Sequence, residues 1–86
     1  MNQAPPPTLQ RTRIKICGLT REQDIDAAVA TGVDAIGFNL YPRSARCISA
    51  QRAAALAQRL PPMVTPVLLF VNANATDVIA ACAGVP

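Results

Sequence analysis

Cys17 is followed at once by Gly18-Leu19, and Thr20-Arg21-Glu22-Gln23 then has the form of a helix start. A thiol so placed lies within one turn of a helix N-terminus, whose partial positive charge favours a thiolate. Lys15, two residues earlier on the same strand face, works in the same direction. A thiolate there could act as a nucleophile or a general base. The loop Tyr41-Pro42-Arg43-Ser44-Ala45-Arg46 adds two arginines, whose guanidinium forks fit carboxylate or phosphate oxygens. The chemistry suggested is proton transfer or nucleophilic attack on a small anionic molecule.

Each of these residues also has a plainer reading. Free cysteine is among the most buried residue types, so Cys17 also reads as an inert core residue. Lys15, if it faces an interior, needs an acid or anion partner and can be one half of a structural ion pair. Arg43 and Arg46 can be solvated loop arginines, and Asn72 a turn residue that ends a later strand. Cys47 and Cys82 have no comparable context and read as packing residues.

The elements that must hold these groups alternate along the chain. Arg13-Ile14-Lys15-Ile16-Cys17 reads as a first strand. Thr20 and Gln23 form a capping box, Ile25, Ala28 and Val29 make the apolar stripe of a helix, and Gly32 stands where a left-handed C-terminal cap belongs. Ala35–Leu40 is a second strand. Ser49 caps a second helix with Ala53, Leu56, Ala57 and Leu60 on one side, and Pro61-Pro62 stops it. Pro66–Val71 is a nearly unbroken apolar run, as in a parallel strand covered on both faces. Asn74 or Thr76 then caps a third helix carrying Val78, Ile79 and Cys82.

Strand-helix alternation of this kind predicts an α/β chain with a parallel sheet and right-handed crossovers, either an open doubly wound sheet or part of a (β/α)8 barrel. The turn Gly18-Leu19-Thr20 carries neither G-x-G-x-x-G nor a P-loop, which weakens the open-sheet reading. In a barrel, Ile14 and Ile16 would meet the helices while Lys15 and Cys17 point inward, with Cys17 on the C-terminal rim where barrel active sites are built.

Composition narrows the partners. With 86 residues and 51% hydrophobic content, one small domain or part of one is the ceiling. A net charge of +3, three aromatics and no run of Lys or Arg give no nucleic-acid footprint. Three cysteines without a C-x-x-C pair, and no histidine, suggest neither a disulfide framework nor a metal site, and a reducing cytoplasm fits best. The opening MNQAPPPTLQ has no signal-peptide pattern, and no apolar run is long enough to span a membrane. Residues 1–12 therefore read as a disordered Pro-rich tail and 13–86 as the ordered part.

KICGLT ending the first strand, GFNLYPRSARCIS around the second and PVLLFVN as the third resemble, in that order, the N-terminal part of phosphoribosylanthranilate isomerase. The likeness runs from about Arg13 to Asn72. It implies the first three βα units of a (β/α)8 TIM barrel, incomplete in this chain, since a full barrel needs roughly 200 residues or more. It also implies a cofactor-free isomerase of tryptophan biosynthesis acting on a small phosphosugar, N-(5-phosphoribosyl)anthranilate, by an Amadori rearrangement. Cys17 falls on the family's general base and Arg46 on the arginine that contacts the anthranilate carboxylate. Arg43 matches the basic position before the serine and inherits no role. The family's general acid, an aspartate, and its phosphate-holding loops have no counterpart here. The alternative is thus a catalytically inactive N-terminal fragment or remnant of such a barrel. A different phosphosugar isomerase on the same barrel is weakened because the histidine-pathway counterpart uses an aspartate where Cys17 stands.

Overall fold

The computed structural model describes residues 11–86. They form β1 (Lys15–Cys17), α1 (Glu22–Ala30), β2 (Ala35–Asn39), α2 (Ala50–Ala57), β3 (Thr65–Leu69) and α3 (Ala75–Ala83). The strands make one sheet in the order β1-β2-β3, and both pairings are parallel. Register is set by Lys15 opposite Ala35 and Ala35 opposite Thr65, which puts Cys17, Gly37 and Val67 in one row across the sheet.

One face of the sheet is packed and the other is open. Ile36 and Phe38 are fully buried beneath the helices with Ile25, Ala28, Val33, Ala53, Leu56 and Ala57, and Ile16 and Leu68 pack against that cluster. Because side chains alternate along a strand, Lys15, Cys17, Gly37, Val67 and Leu69 share the opposite face. This alternation settles which residues of the third strand would line an interior. It also limits one expectation: Ile16 meets the helices, whereas Ile14 precedes the strand and is 53% exposed.

The ends of the helices have local causes. Gly32 takes φ +91° and its N–H donates to the Val29 carbonyl at 3.0 Å, closing α1 as expected. Ser49 Oγ accepts from Arg52 N at 3.0 Å to open α2, and Asn74 Oδ1, rather than Thr76, accepts from Asp77 N at 2.9 Å to open α3. The capping box at Thr20 does not form. Arg21 is the N-cap of α1 with no side-chain cap bond, and its own guanidinium folds onto Asp24 at 2.9 Å. Thr20 serves the tertiary structure instead, its carbonyl accepting from Arg52 Nη2 at 3.2 Å. Arg52 also forks Glu22 with two bonds of 2.7 Å, and Arg59 pairs with Asp26, so two ion pairs bind α2 and the turn after it to α1. α2 ends at Ala57, short of Pro61, in a tightened turn where Arg59 N donates to the Leu56 carbonyl at 3.1 Å.

Asp34, at the opposite end of the sheet from Cys17, ties three segments together. It accepts from Ile14 N at 2.8 Å, is forked by Arg11, and its carbonyl accepts from Thr65 N at 2.9 Å. Arg11 thus holds a partner although it falls within residues 1–12, expected to form a tail; residues 1–10 of that expectation lie outside the described residues. Cys82 is exposed, correcting its assignment to packing, and the residue α3 buries is Ala81. No helix among the described residues is long and apolar enough to cross a membrane.

Candidate active site

Cys17 is the last residue of β1, half-buried on the open face of the sheet. Immediately beyond it, Gly18 takes φ +83°, a left-handed conformation that side chains resist, and turns the chain toward α1. The Gly18 N–H donates to the Gly37 carbonyl at 2.9 Å, continuing the β1–β2 ladder one step past the strand. The thiol is therefore fixed at the C-terminal end of the strands.

Arg46 reaches the same place from the loop between β2 and α2. That loop is folded by its own bonds. Asn39 Oδ1 accepts from Tyr41 N at 2.8 Å, the Tyr41 carbonyl from Ser44 N at 3.0 Å, and Ser44 Oγ from Arg46 N at 3.1 Å. Ile48 N then returns to the Asn39 carbonyl at 2.9 Å, so the loop starts and finishes at the end of β2. From there Arg46 Nη1 donates to the Cys17 carbonyl at 3.3 Å. Its guanidinium lies against Gly18, where a Cβ would come within 2.8 Å of Nη1 and 2.9 Å of Cζ. Two residues 29 apart in sequence are thus in direct contact.

Charge is distributed unevenly over the described residues. Four of the five acids are engaged by arginines: Asp34 by Arg11, Asp24 by Arg21, Glu22 by Arg52 and Asp26 by Arg59. Among the described residues, Arg13, Lys15, Arg43 and Arg46 form no ion pair, and Lys15 shares the sheet face of Cys17. The remaining N–H groups of Arg46 can donate to a carboxylate or phosphate oxygen. Arg43 is exposed in the same loop.

The other candidates lie apart. Asn72 has φ +53° and is exposed in the turn after β3, and Cys47 is half-buried with its thiol 3.7 Å from the Ile48 carbonyl. A cleft of about 540 Å³, lined by Leu40, Gln51, Phe70, Val71, Asp77 and Ala81 among others, opens between the loops that follow β2 and β3 and includes neither Cys17 nor Arg46. The two site residues sit on an open rim, and the cleft belongs to the helical side of the sheet. Sequence reasoning passed over Gly37, whose signal was a glycine inside a strand.

No family model matches the chain. Individual proteins do. The N-(5'-phosphoribosyl)anthranilate isomerase of Methylibium petroleiphilum is 66% identical over 76 residues, covering 88% of this chain and 36% of the relative. That of Leptothrix cholodnii is 63% identical over 76 residues, covering 88% and 34%. Among solved structures, phosphoribosyl anthranilate isomerase from Thermotoga maritima matches with a TM-score of 0.83 at 38% identity, over 86% of this chain and 36% of that one. A phosphoribosyl anthranilate isomerase in complex with reduced 1-(o-carboxyphenylamino)-1-deoxyribulose 5-phosphate matches equally well, with a TM-score of 0.83 at 38% identity, over 86% and 38%. The chain spans about a third of the length of the curated relatives it matches, and its three βα units are the first three of a (β/α)8 barrel. In sequence and in fold it corresponds to the N-terminal third of the phosphoribosylanthranilate isomerase family.

Proposed function

We propose that this segment supplies the general base and the carboxylate clamp of a cytoplasmic phosphoribosylanthranilate isomerase of tryptophan biosynthesis, residues 13–86 being the N-terminal part of a single TIM-barrel domain. The substrate is N-(5-phosphoribosyl)anthranilate, a small phosphosugar. With its ring opened to a Schiff base, the Cys17 thiolate removes the proton at C2. The enol then becomes the ketone as a proton is returned at C1, giving 1-(2-carboxyphenylamino)-1-deoxyribulose 5-phosphate. Substrate and product are isomers, so the step calls for no electron acceptor and no cofactor. Arg46 holds the anthranilate carboxylate and so keeps the C2 proton within reach of the sulfur.

The observation that carries this reading is the contact between Arg46 and the Cys17–Gly18 peptide, which brings base and clamp from two consecutive βα loops onto one rim. Among the described residues, three of the four cations outside ion pairs, Lys15, Arg43 and Arg46, suit a substrate that carries both a carboxylate and a phosphate. The test is a full-length hybrid in which residues 11–86 of this chain replace the matching segment of the Methylibium petroleiphilum relative. Cys17→Ser should lower turnover by several orders of magnitude, because a serine hydroxyl is far too weak an acid to supply the anion. Cys47→Ser and Cys82→Ser should stay active. Near wild-type turnover for Cys17→Ser would overturn the assignment.

A further inference from the structure

A glycine inside a strand weakens it, so Gly37 in the middle of β2 needs a reason. The backbone does not provide one. The described glycines with positive φ are Gly18 and Gly32, which leaves Gly37 in a conformation that any residue adopts. Space does provide one. A Cβ built on Gly37 would lie 2.8 Å from Cys17 Sγ and 3.3 Å from both Cys17 Cα and Cys17 Cβ, and these are its three nearest neighbours. The volume left by the missing methyl is thus occupied by one side chain, and the sulfur leans from β1 over the backbone of β2.

We propose that Gly37 is a positioning residue for Cys17, the absence of its Cβ setting the rotamer in which the sulfur faces the substrate. This rests on the reading of Cys17 as the base. A methyl at position 37 would press hardest on the far end of a rotatable side chain and would ask the Cys17 Cα, at 3.3 Å, to give by only a few tenths of an ångström, so the sulfur would swing away while the sheet persists. A thiolate misplaced by about 1 Å loses on the order of a hundredfold in proton-transfer rate. Gly18 differs, since its positive φ alone demands glycine.

The full-length hybrid tests this with Gly37→Ala. The expected result is a fall in kcat on the order of a hundredfold with KM little changed. The rate at which iodoacetamide alkylates Cys17, followed by peptide mass spectrometry, should also shift while the rates at Cys47 and Cys82 stay as they were. In a Cys17→Ser background, Gly37→Ala should cause no additional loss, because the residue it positions is gone. An unchanged Cys17 alkylation rate overturns the proposal, and so does a kcat loss of the same size in the Cys17→Ser background. If Cys17→Ser by itself keeps turnover, the base assignment falls and the alkylation rates alone decide whether Gly37 positions the sulfur.

Discussion

Arg46 Nη1 donates to the carbonyl oxygen of Cys17 across 3.3 Å, so the arginine is seated on the peptide that follows the thiol instead of on an acid. Its position is fixed without its charge being neutralised. In the hybrid, Arg46→Ala should weaken binding of anthranilate-bearing ligands by roughly 1.5–3 kcal/mol, the range for a lost charge-assisted hydrogen bond. A simple ribose phosphate should bind almost as before. Arg46→Lys should recover little, because an ammonium cannot reproduce the fork. Calorimetric titration with both ligands checks this, and equal losses for the two would point to a general fold defect.

Gly18→Ala should damage the same site by another route. The substitution forces a side chain into φ +83° and drives a methyl into the Arg46 guanidinium, so strain and displacement act together. Backbone strain of this type costs about 1–3 kcal/mol. The variant should melt earlier than the parent and also lose selectivity for the carboxylate-bearing ligand. A thermal midpoint and affinity unchanged from the parent would show that the turn accommodates a side chain.

Acid should unfold the segment through two carboxylates. The Arg11 fork, and after it the Ile14 N–H, hold Asp34 down at about 2, from an ordinary 3.8. Arg52, and then the backbone N–H of Glu22 itself, hold Glu22 at about 2, from 4.5. Both groups bind protons more readily when unfolded, so the stability they contribute is complete above roughly pH 4.5 and is lost as the pH falls toward 2. The thermal midpoint of the hybrid, measured from pH 7 to 2, should drop across that window. Asp34→Asn keeps an acceptor for Ile14 N but loses the ion pair, so it should lower the midpoint at pH 7 and flatten the acid slope. An unaltered slope in that variant would remove Asp34 from the account.

The 86-residue polypeptide by itself should show no isomerase activity and should run as a self-associated or disordered species. Each outer strand of its sheet has one neighbour, so the free sides of β1 and β3 present unpaired backbone groups. No residue of β3 is fully buried, and a shallow groove beside α1 exposes parts of Ile16, Leu19, Ala27 and Ala28. Ile79 and Met63 add further exposed apolar surface, at 69% and 94%. Size-exclusion chromatography together with a fluorescence assay for phosphoribosylanthranilate turnover measures both properties. A compact monomer that melts cooperatively and turns over substrate would show that the open edges matter less than argued.

What was legible in the sequence follows the range of each interaction. The order of three strands and three helices, the Ser49 cap and the Gly32 cap depend on residues a few positions apart and are where local pattern puts them, whereas β1 starts later, at Lys15, and α2 and β3 end earlier, at Ala57 and Leu69, than the apolar runs suggest. The Thr20–Gln23 capping box fails because the setting of Thr20 comes from Arg52, some thirty residues on, which donates to the Thr20 carbonyl and clamps Glu22. Cys82 reads as a packing residue for want of any other context, yet only Ala81 of α3 is buried. At the site, motif resemblance pointed to Cys17 and Arg46, but not to the contact between them. That contact depends on Gly18 leaving room for the guanidinium, as the seat of the sulfur depends on Gly37, and these are steric relations between loops and strands that periodicity does not encode.

The register of the sheet also carries a kinetic consequence. Lys15 pairs with Ala35, twenty positions on, and Ala35 with Thr65, thirty positions on, so each strand joins the one made just before it. The entropy of closing these two loops differs by only about 0.4 kcal/mol, so neither pairing has to wait for a distant part of the chain. A polypeptide emerging from the ribosome at about 5–20 residues per second can therefore lay down β1, α1 and β2 before β3 has left the exit tunnel. The thiol, its glycine seat and the turn beside it would be the first pieces of the rim to come together, and the arginine would follow as its loop leaves the exit tunnel.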